Sequence, residues 1–176
     1  MKMAWVVLAL VVYSGVSIVR AIPELPARIP TKFNSSGQPV GWGSPETLWF
    51  MLLVQALVSA LILAVPAIGR RAPQLINLGL RKLSDFPPEA RQRVMPLLED
   101  MCGWMAVLFS FLLTVIIRGM ICSALEPGAP VGNWALKVFL AGTAIVVVYY
   151  LWKMNRLEHK ELRNVSGHNP GDSTLR

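Results

Sequence analysis

The chain has 176 residues, 54% of them hydrophobic and only 15% charged, with 17 Lys and Arg against 10 Asp and Glu and a formal net charge of +7. A soluble domain carries roughly 25% charged residues, and here the charges are clustered, leaving four long stretches nearly free of them. This excludes an ordinary soluble domain and predicts an integral membrane protein. The positive residues gather where apolar runs end, which reads as a topology signal and argues against a nucleic-acid partner.

The first apolar run covers residues 3–19, preceded by Lys2. It has two readings, the apolar region of a signal peptide or a retained span. Its length is at the lower limit for a span. Arg20, in the Val19-Arg20-Ala21 stretch where a cut would fall, is unusual for a cleavage region and favours the retained helix. The second run covers residues 48–68, with Trp49 at its start, Gln55 inside it and Pro66 near its end. Gln55 is expected to bond to another helix or to be tolerated as an isolated polar group. Pro66 is expected to kink or end its helix.

Residues 69–100 carry Arg70, Arg71, Arg81, Lys82, Arg91 and Arg93. Leu75, Ile76, Leu78, Leu80 and Leu83 alternate loosely with polar residues. Asp85 then precedes Pro87-Pro88-Glu89, a helix-start pattern, and Val94, Leu97 and Leu98 give the next turns an apolar side. Basic residues beside an apolar face predict an amphipathic segment on the membrane surface, facing anionic lipid. Pro73 and Pro96 argue against one continuous helix there.

The third run, residues 101–125, is interrupted by Arg118. A loop at 126–133, rich in Pro and Gly, leads to the fourth run, 134–152, which has Lys137 in its first turn. The tail, 153–176, is polar and is expected to begin as a helical extension and end disordered.

Lys and Arg number six in residues 69–100, five in the tail, three in 20–47 and none in 126–133. The positive-inside rule then places both termini and the middle segment in the cytoplasm and residues 20–47 outside. Trp5, Trp104 and Trp152 fall at the inner ends of spans, and Trp49 and Trp134 at the outer ends, as an aromatic belt requires. The two spans joined by the short loop should form an antiparallel pair.

Signatures of catalysis are missing: there is no HExxH, CxxC, GxSxG or GxxxxGK[ST]. No enzyme activity, cofactor or metal site is expected. His159 and His168 lie in the polar tail and read as solvated. Cys102 and Cys122 are 20 residues apart on one predicted helix, about 30 Å, so they cannot form a disulfide with each other. Glu99 and Asp100 read as acids at a helix N-terminus, facing the positive end of its dipole.

Arg118 is the sharpest intramembrane charge, and an ionisable residue inside a span is a functional candidate by default. It lies a turn or two from the outer end of its run, within snorkelling reach. Glu126, Glu46 and Glu24 are candidate partners, and binding at the outer face is the other reading. Lys137 is placed the same way in the fourth run.

The outer stretch, residues 25–42 (LPARIPTKFNSSGQPVGW), has more internal organisation than a connector needs. Pro23, Pro26 and Pro30 fix extended geometry, with Leu25 and Ile29 as apolar anchors before two of them. Asn34-Ser35-Ser36-Gly37 reads as a turn in which Asn and Ser bond back to the backbone and Gly37 takes positive φ. Asn34-Ser35-Ser36 also fits a glycosylation sequon. Phe33 and Trp42 are expected to tuck in, so that Trp42→Ala and Gly37→Val would both disrupt the loop. A compact cap over the bundle and a recognition surface are the two readings; binding residues often sit on loops held by a rigid scaffold.

Leu25-Pro26, Ile29-Pro30, Phe33-Asn34, Gly37 and Trp42, in that order, resemble the LPxxIPxHFNxxGxxxxW motif of the N-terminal domain of unknown function in SdpI-like bacterial membrane proteins. The resemblance covers residues 6–68 best. Lys32 stands where those proteins usually have His, and Ser44-Pro45 where many have Lys. The resemblance implies a bacterial cytoplasmic (inner) membrane location and, by analogy with the best understood relatives, immunity to a peptide toxin or sequestration of a repressor at the membrane.

The resulting expectation is an all-α, four-helix integral membrane protein, N-in and C-in, with an ordered extracytoplasmic loop and an amphipathic cytoplasmic segment. Residues 1–68 form the SdpI-like part, 69–100 the basic segment, 101–152 an antiparallel pair of spans and 153–176 a cytoplasmic tail. The candidate outer binding residues are Leu25, Pro26, Ile29, Pro30, Lys32, Phe33, Asn34, Gly37 and Trp42, facing a protein or peptide partner. The alternative is a structural or accessory subunit of a larger complex, homo- or hetero-oligomeric, for which Gly119, Ala141, Gly142 and Ala144 would permit close helix packing.

Overall fold

The structure, a computed structural model, describes residues 2–34, 36–75, 88–126 and 134–167. It contains four long helices, α1 (Lys2–Ala21), α2 (Glu46–Arg71), α3 (Pro88–Leu125) and α4 (Trp134–Gly167). Each is long and apolar enough to cross a membrane. Between α1 and α2 stands an antiparallel hairpin of β1 (Ile29–Phe33) and β2 (Pro39–Gly43). The helical expectation thus holds for the spans, whereas the polar stretch between the first two is a β-hairpin.

α3 is the hub on which α1, α2 and α4 all pack. Of its most apolar window 44% is buried, against 11% for α4, which lies at the periphery. The reason is in the composition. α3 places Ala106, Leu113, Ile117, Met120, Ile121 and Ala124 inward, whereas α4 leaves Leu136, Leu140, Ile145 and Val148 exposed, as lipid-facing residues would be. Gly142 of α4 permits a close approach: a Cβ there would sit 3.0 Å from Leu108 Cδ2 on α3. Trp5, Trp49, Trp104, Trp134 and Trp152 are all exposed.

A polar network ties three helices together inside the apolar zone. Gln55 of α2 is fully buried, and its Nε2 donates to Ser110 O at 3.1 Å, Ser110 Oγ at 2.8 Å and Thr114 Oγ1 at 3.0 Å. The backbone carbonyl fixes the amide orientation, because only the NH2 can face an acceptor. Thr114 spends its one hydrogen on Ser110 O, 2.8 Å away. The 3.0 Å contact between Ser14 of α1 and Thr114 therefore has Ser14 as donor. Gln55 is a helix–helix bond, one of the two readings its position allowed.

Two differences from the expected organisation concern proline and the acidic pair. α3 runs without a break from Pro88 through Pro96 to Leu125, so residues 88–100 are not a separate surface segment. Pro96 removes one bond, to Gln92, while Val94, Met95, Leu97 and Leu98 on either side are buried and hold the helix in register. Consequently Glu99 and Asp100 lie in the helix interior, more than two turns past its start. The dipole argument fails for them, since that field acts within the first turn. The Pro73 expectation is met: α2 ends at Arg71 and Pro73 begins a short 3-10 turn, Pro73–Leu75. Ile76, Leu78, Leu80, Arg81, Lys82, Leu83 and Asp85, the loop 127–133 and His168 lie outside the described residues, as does the side chain of His159.

Candidate functional site

The hairpin combines good strand formers, Ile29, Thr31, Phe33, Val40 and Trp42, with Pro30, Pro39, Gly41 and Gly43, which weigh against a strand. Its turn is closed by Asn34. The Asn34 Oδ1 accepts from Ser36 N at 3.0 Å and Gln38 N at 2.9 Å. The backbone adds Gly37 N to Asn34 O at 3.0 Å and Asn34 N to Gln38 O at 2.9 Å. Gly37 has φ of 77°, the one positive φ among the described residues, where any side chain would be strained. The sequence reading of this turn is met in its Asn34 and Gly37 roles.

Across the strands Ile29 opposes Gly43, Pro30 opposes Trp42, Lys32 opposes Gly41 and Phe33 opposes Pro39. The register slips on each side of Lys32, leaving Thr31 on β1 and Val40 on β2 as extra residues. The two glycines of β2 make this possible. A Cβ on Gly41 would lie 3.1 Å from Lys32 Cβ and Cδ, so the lysine stem crosses the strand there. A Cβ on Gly43 would lie 2.8 Å from Thr31 Cγ2.

The hairpin is pinned to the helices by Ile29, which has no exposed surface. Ile29 belongs to a cluster with Ile18 and Ala21 of α1, Leu48 of α2, and Ile117, Met120, Ile121 and Ala124 of α3. Leu25 and Phe33 pack against the same cluster, and Pro30 is fully buried. Burying an Ile side chain contributes on the order of 2 kcal/mol, so three helices hold one strand.

The candidate binding residues therefore divide. Leu25, Ile29, Pro30 and Phe33 face the helices and act as anchors, and Asn34 and Gly37 shape the turn. Pro26, Lys32 and Trp42 are the exposed ones. Trp42 is 57% exposed, contrary to the expectation that it tucks in. It is paired with Pro30 at the rim, and the pocket among the helices is already filled by Ile29. Val40, 63% exposed and two residues before Trp42 on the same strand, joins it. The sequence reading missed Val40; the two-residue spacing Val40-Gly41-Trp42 was its only signal.

Arg118 donates from Nη1 to the Tyr13 hydroxyl of α1 at 2.6 Å. Its partner is this phenol and not Glu126, Glu46 or Glu24. Tyr13 was not singled out in the sequence, because one tyrosine in an apolar run looks like another lipid-facing aromatic. Lys137 is exposed and has no ion-pair partner among the described residues. At the other end of the bundle Arg70 forms an ion pair with Glu99, Arg71 and Arg93 are exposed, and Arg91 is half-buried.

Residues 6–56 match a family model described as "Domain of unknown function (DUF1648)", a domain found in membrane proteins. The match takes in most of α1, the whole hairpin and the first part of α2. The α3 residues that complete the pocket for Ile29 lie beyond it. No curated protein and no solved structure matches the chain.

Proposed function

We propose that this is a non-enzymatic protein of a bacterial cytoplasmic membrane, with both termini inside, and that its hairpin recognises a peptide or protein outside. The observation that carries this reading is the division of labour in the hairpin. Ile29 and Pro30 are completely buried, while Lys32, Val40 and Trp42 of the same ribbon are exposed. An exposed cation and two exposed apolar side chains on one pinned ribbon suit a partner that carries both an acidic and an apolar group. Pro30 and Pro39 each remove a backbone donor from a five-residue strand, so recognition runs through side chains rather than added strands. The distribution of Lys and Arg supports the orientation.

The most concrete version is an SdpI-like role, in immunity to a peptide toxin or in passing its presence to a cytoplasmic repressor. It rests on the motif at residues 25–42; the family model that matches the same region describes a domain of unknown function and assigns no role. The test challenges cells with and without the gene with a panel of peptide toxins. Protection that is lost in a Lys32→Ala, Trp42→Ala double variant supports it, and unchanged sensitivity to every peptide removes the immunity version.

The second reading is an accessory subunit of a larger membrane complex, favoured by the sparse burial of α4. It requires a protein that co-purifies at fixed stoichiometry in mild detergent. A clean monomer there counts against it.

A further inference from the structure

At the end opposite the hairpin, α1, α2 and α3 line a cleft of about 480 Å³. It is lined by the first turn of α1, from Lys2, by the last turns of α2, including Pro66 and Arg70, and by Glu99, Asp100 and Gly103 of α3. Gly103 lets α1 come close: a Cβ there would sit 2.5 Å from the Met3 sulfur. The cleft holds two cations and two carboxylates. Arg70 and Glu99 are paired with each other, whereas Lys2 and Asp100 have no ion-pair partner among the described residues. Asp100 lies there only because α3 continues through Pro96, and its carboxylate is exposed beside the apolar wall of Met3, Leu63 and Pro66.

We propose that this cleft binds the headgroup of a zwitterionic aminophospholipid such as phosphatidylethanolamine. The phosphate is taken by Lys2 with Arg70, and the primary ammonium by Asp100 with Glu99. The site sits where the apolar run of α2 gives way to Arg70 and Arg71, the depth at which a lipid headgroup lies. The charge balance decides the class. With Arg70 and Glu99 paired to each other, an anionic headgroup would match Lys2 but leave Asp100 unmatched, whereas a separated positive and negative charge matches both. A primary ammonium has three N–H donors for the carboxylates, and a trimethylammonium has none. The apolar wall receives the start of an acyl chain. This site is distinct from the hairpin and independent of what the hairpin binds.

The test uses the full chain in detergent, offered an equimolar mixture of phosphatidylethanolamine, phosphatidylcholine and phosphatidylglycerol, with retained lipid read by native mass spectrometry. Retention of phosphatidylethanolamine should exceed that of each other lipid by about tenfold, the ratio that one charge-assisted hydrogen bond supplies. Asp100→Asn should erase the preference over phosphatidylcholine, Asp100→Glu should restore it, and Lys2→Gln should lower retention of all three. Size-exclusion profiles identify any variant that fails to fold, and Asp100→Glu then carries the comparison with the parent chain. A preference for phosphatidylglycerol, equal retention of all three lipids, or a preference unchanged in Asp100→Asn would overturn the proposal. So would equal binding of soluble glycerophosphoethanolamine, which would make the cleft a small-molecule site.

Discussion

Gln55 Nε2 on α2 and the backbone oxygen of Ser110 on α3 lie 3.1 Å apart in the apolar zone, and this contact fixes which way the amide points. The amide oxygen is then turned away and has no hydrogen-bond partner among the described residues. The two ends of one side chain thus work against each other. Gln55→Leu loses the donated bonds but also removes the orphaned oxygen, and should cost about 1 kcal/mol or less, the usual scale for bonds between membrane helices. Gln55→Glu should cost more, because an ionised carboxylate faces the Ser110 carbonyl without a donor. Unfolding in mixed micelles at graded SDS measures both. A Gln55→Leu loss larger than that of Gln55→Glu would contradict the assignment of the amide.

The Arg118–Tyr13 bond predicts a coupling between α1 and α3. Tyr13→Phe and Arg118→Gln should show non-additive losses in a double-mutant cycle, with a coupling of about 1 kcal/mol given the exposure of the pair. Glu126→Gln should show no coupling to Arg118. Coupling to Glu126 in place of Tyr13 would return Arg118 to the carboxylate partner its sequence position suggested.

In the turn, Asn34→Ala removes the acceptor for two backbone N–H groups and should destabilise the hairpin by about 1–2 kcal/mol. Gly37→Val should cost at least as much, since a β-branched residue at φ near 77° is strained on the order of 2 kcal/mol. Limited proteolysis of the hairpin in nanodiscs reads both, and resistance equal to the parent chain in both variants would refute this turn geometry.

The spans were legible because apolar runs of that length with at most one charge each are stable in a membrane as helices. The turn was legible because Asn34 and Gly37 have narrow local preferences. The strands were not. Pro30, Pro39, Gly41 and Gly43 all weigh against strand in isolation, and what overrides them is tertiary: Ile29 enters a pocket formed by residues up to 95 positions away, at Ala124. The same holds for α3, where local proline chemistry at Pro96 is overruled by the packing of Val94, Leu97 and Leu98. Within the candidate site, the motif positions were visible but their facing was not. Sequence spacing cannot tell an anchor from a contact residue when bulges at Thr31 and Val40 shift the register.

The hairpin is a scaffold pinned by Ile29 that leaves Lys32, Val40 and Trp42 exposed. Amide hydrogen exchange of residues 29–43 in nanodiscs tests this pinning most directly, comparing the parent chain with Ile29→Ala and Trp42→Ala. Ile29→Ala opens a cavity in the cluster that costs on the order of 3 kcal/mol, enough to speed exchange about a hundredfold. Trp42→Ala, at a site 57% exposed, should leave exchange within about threefold of the parent. Loss of protection in Trp42→Ala with Ile29→Ala unchanged would show that the tryptophan holds the hairpin and the isoleucine does not, and would contradict the account.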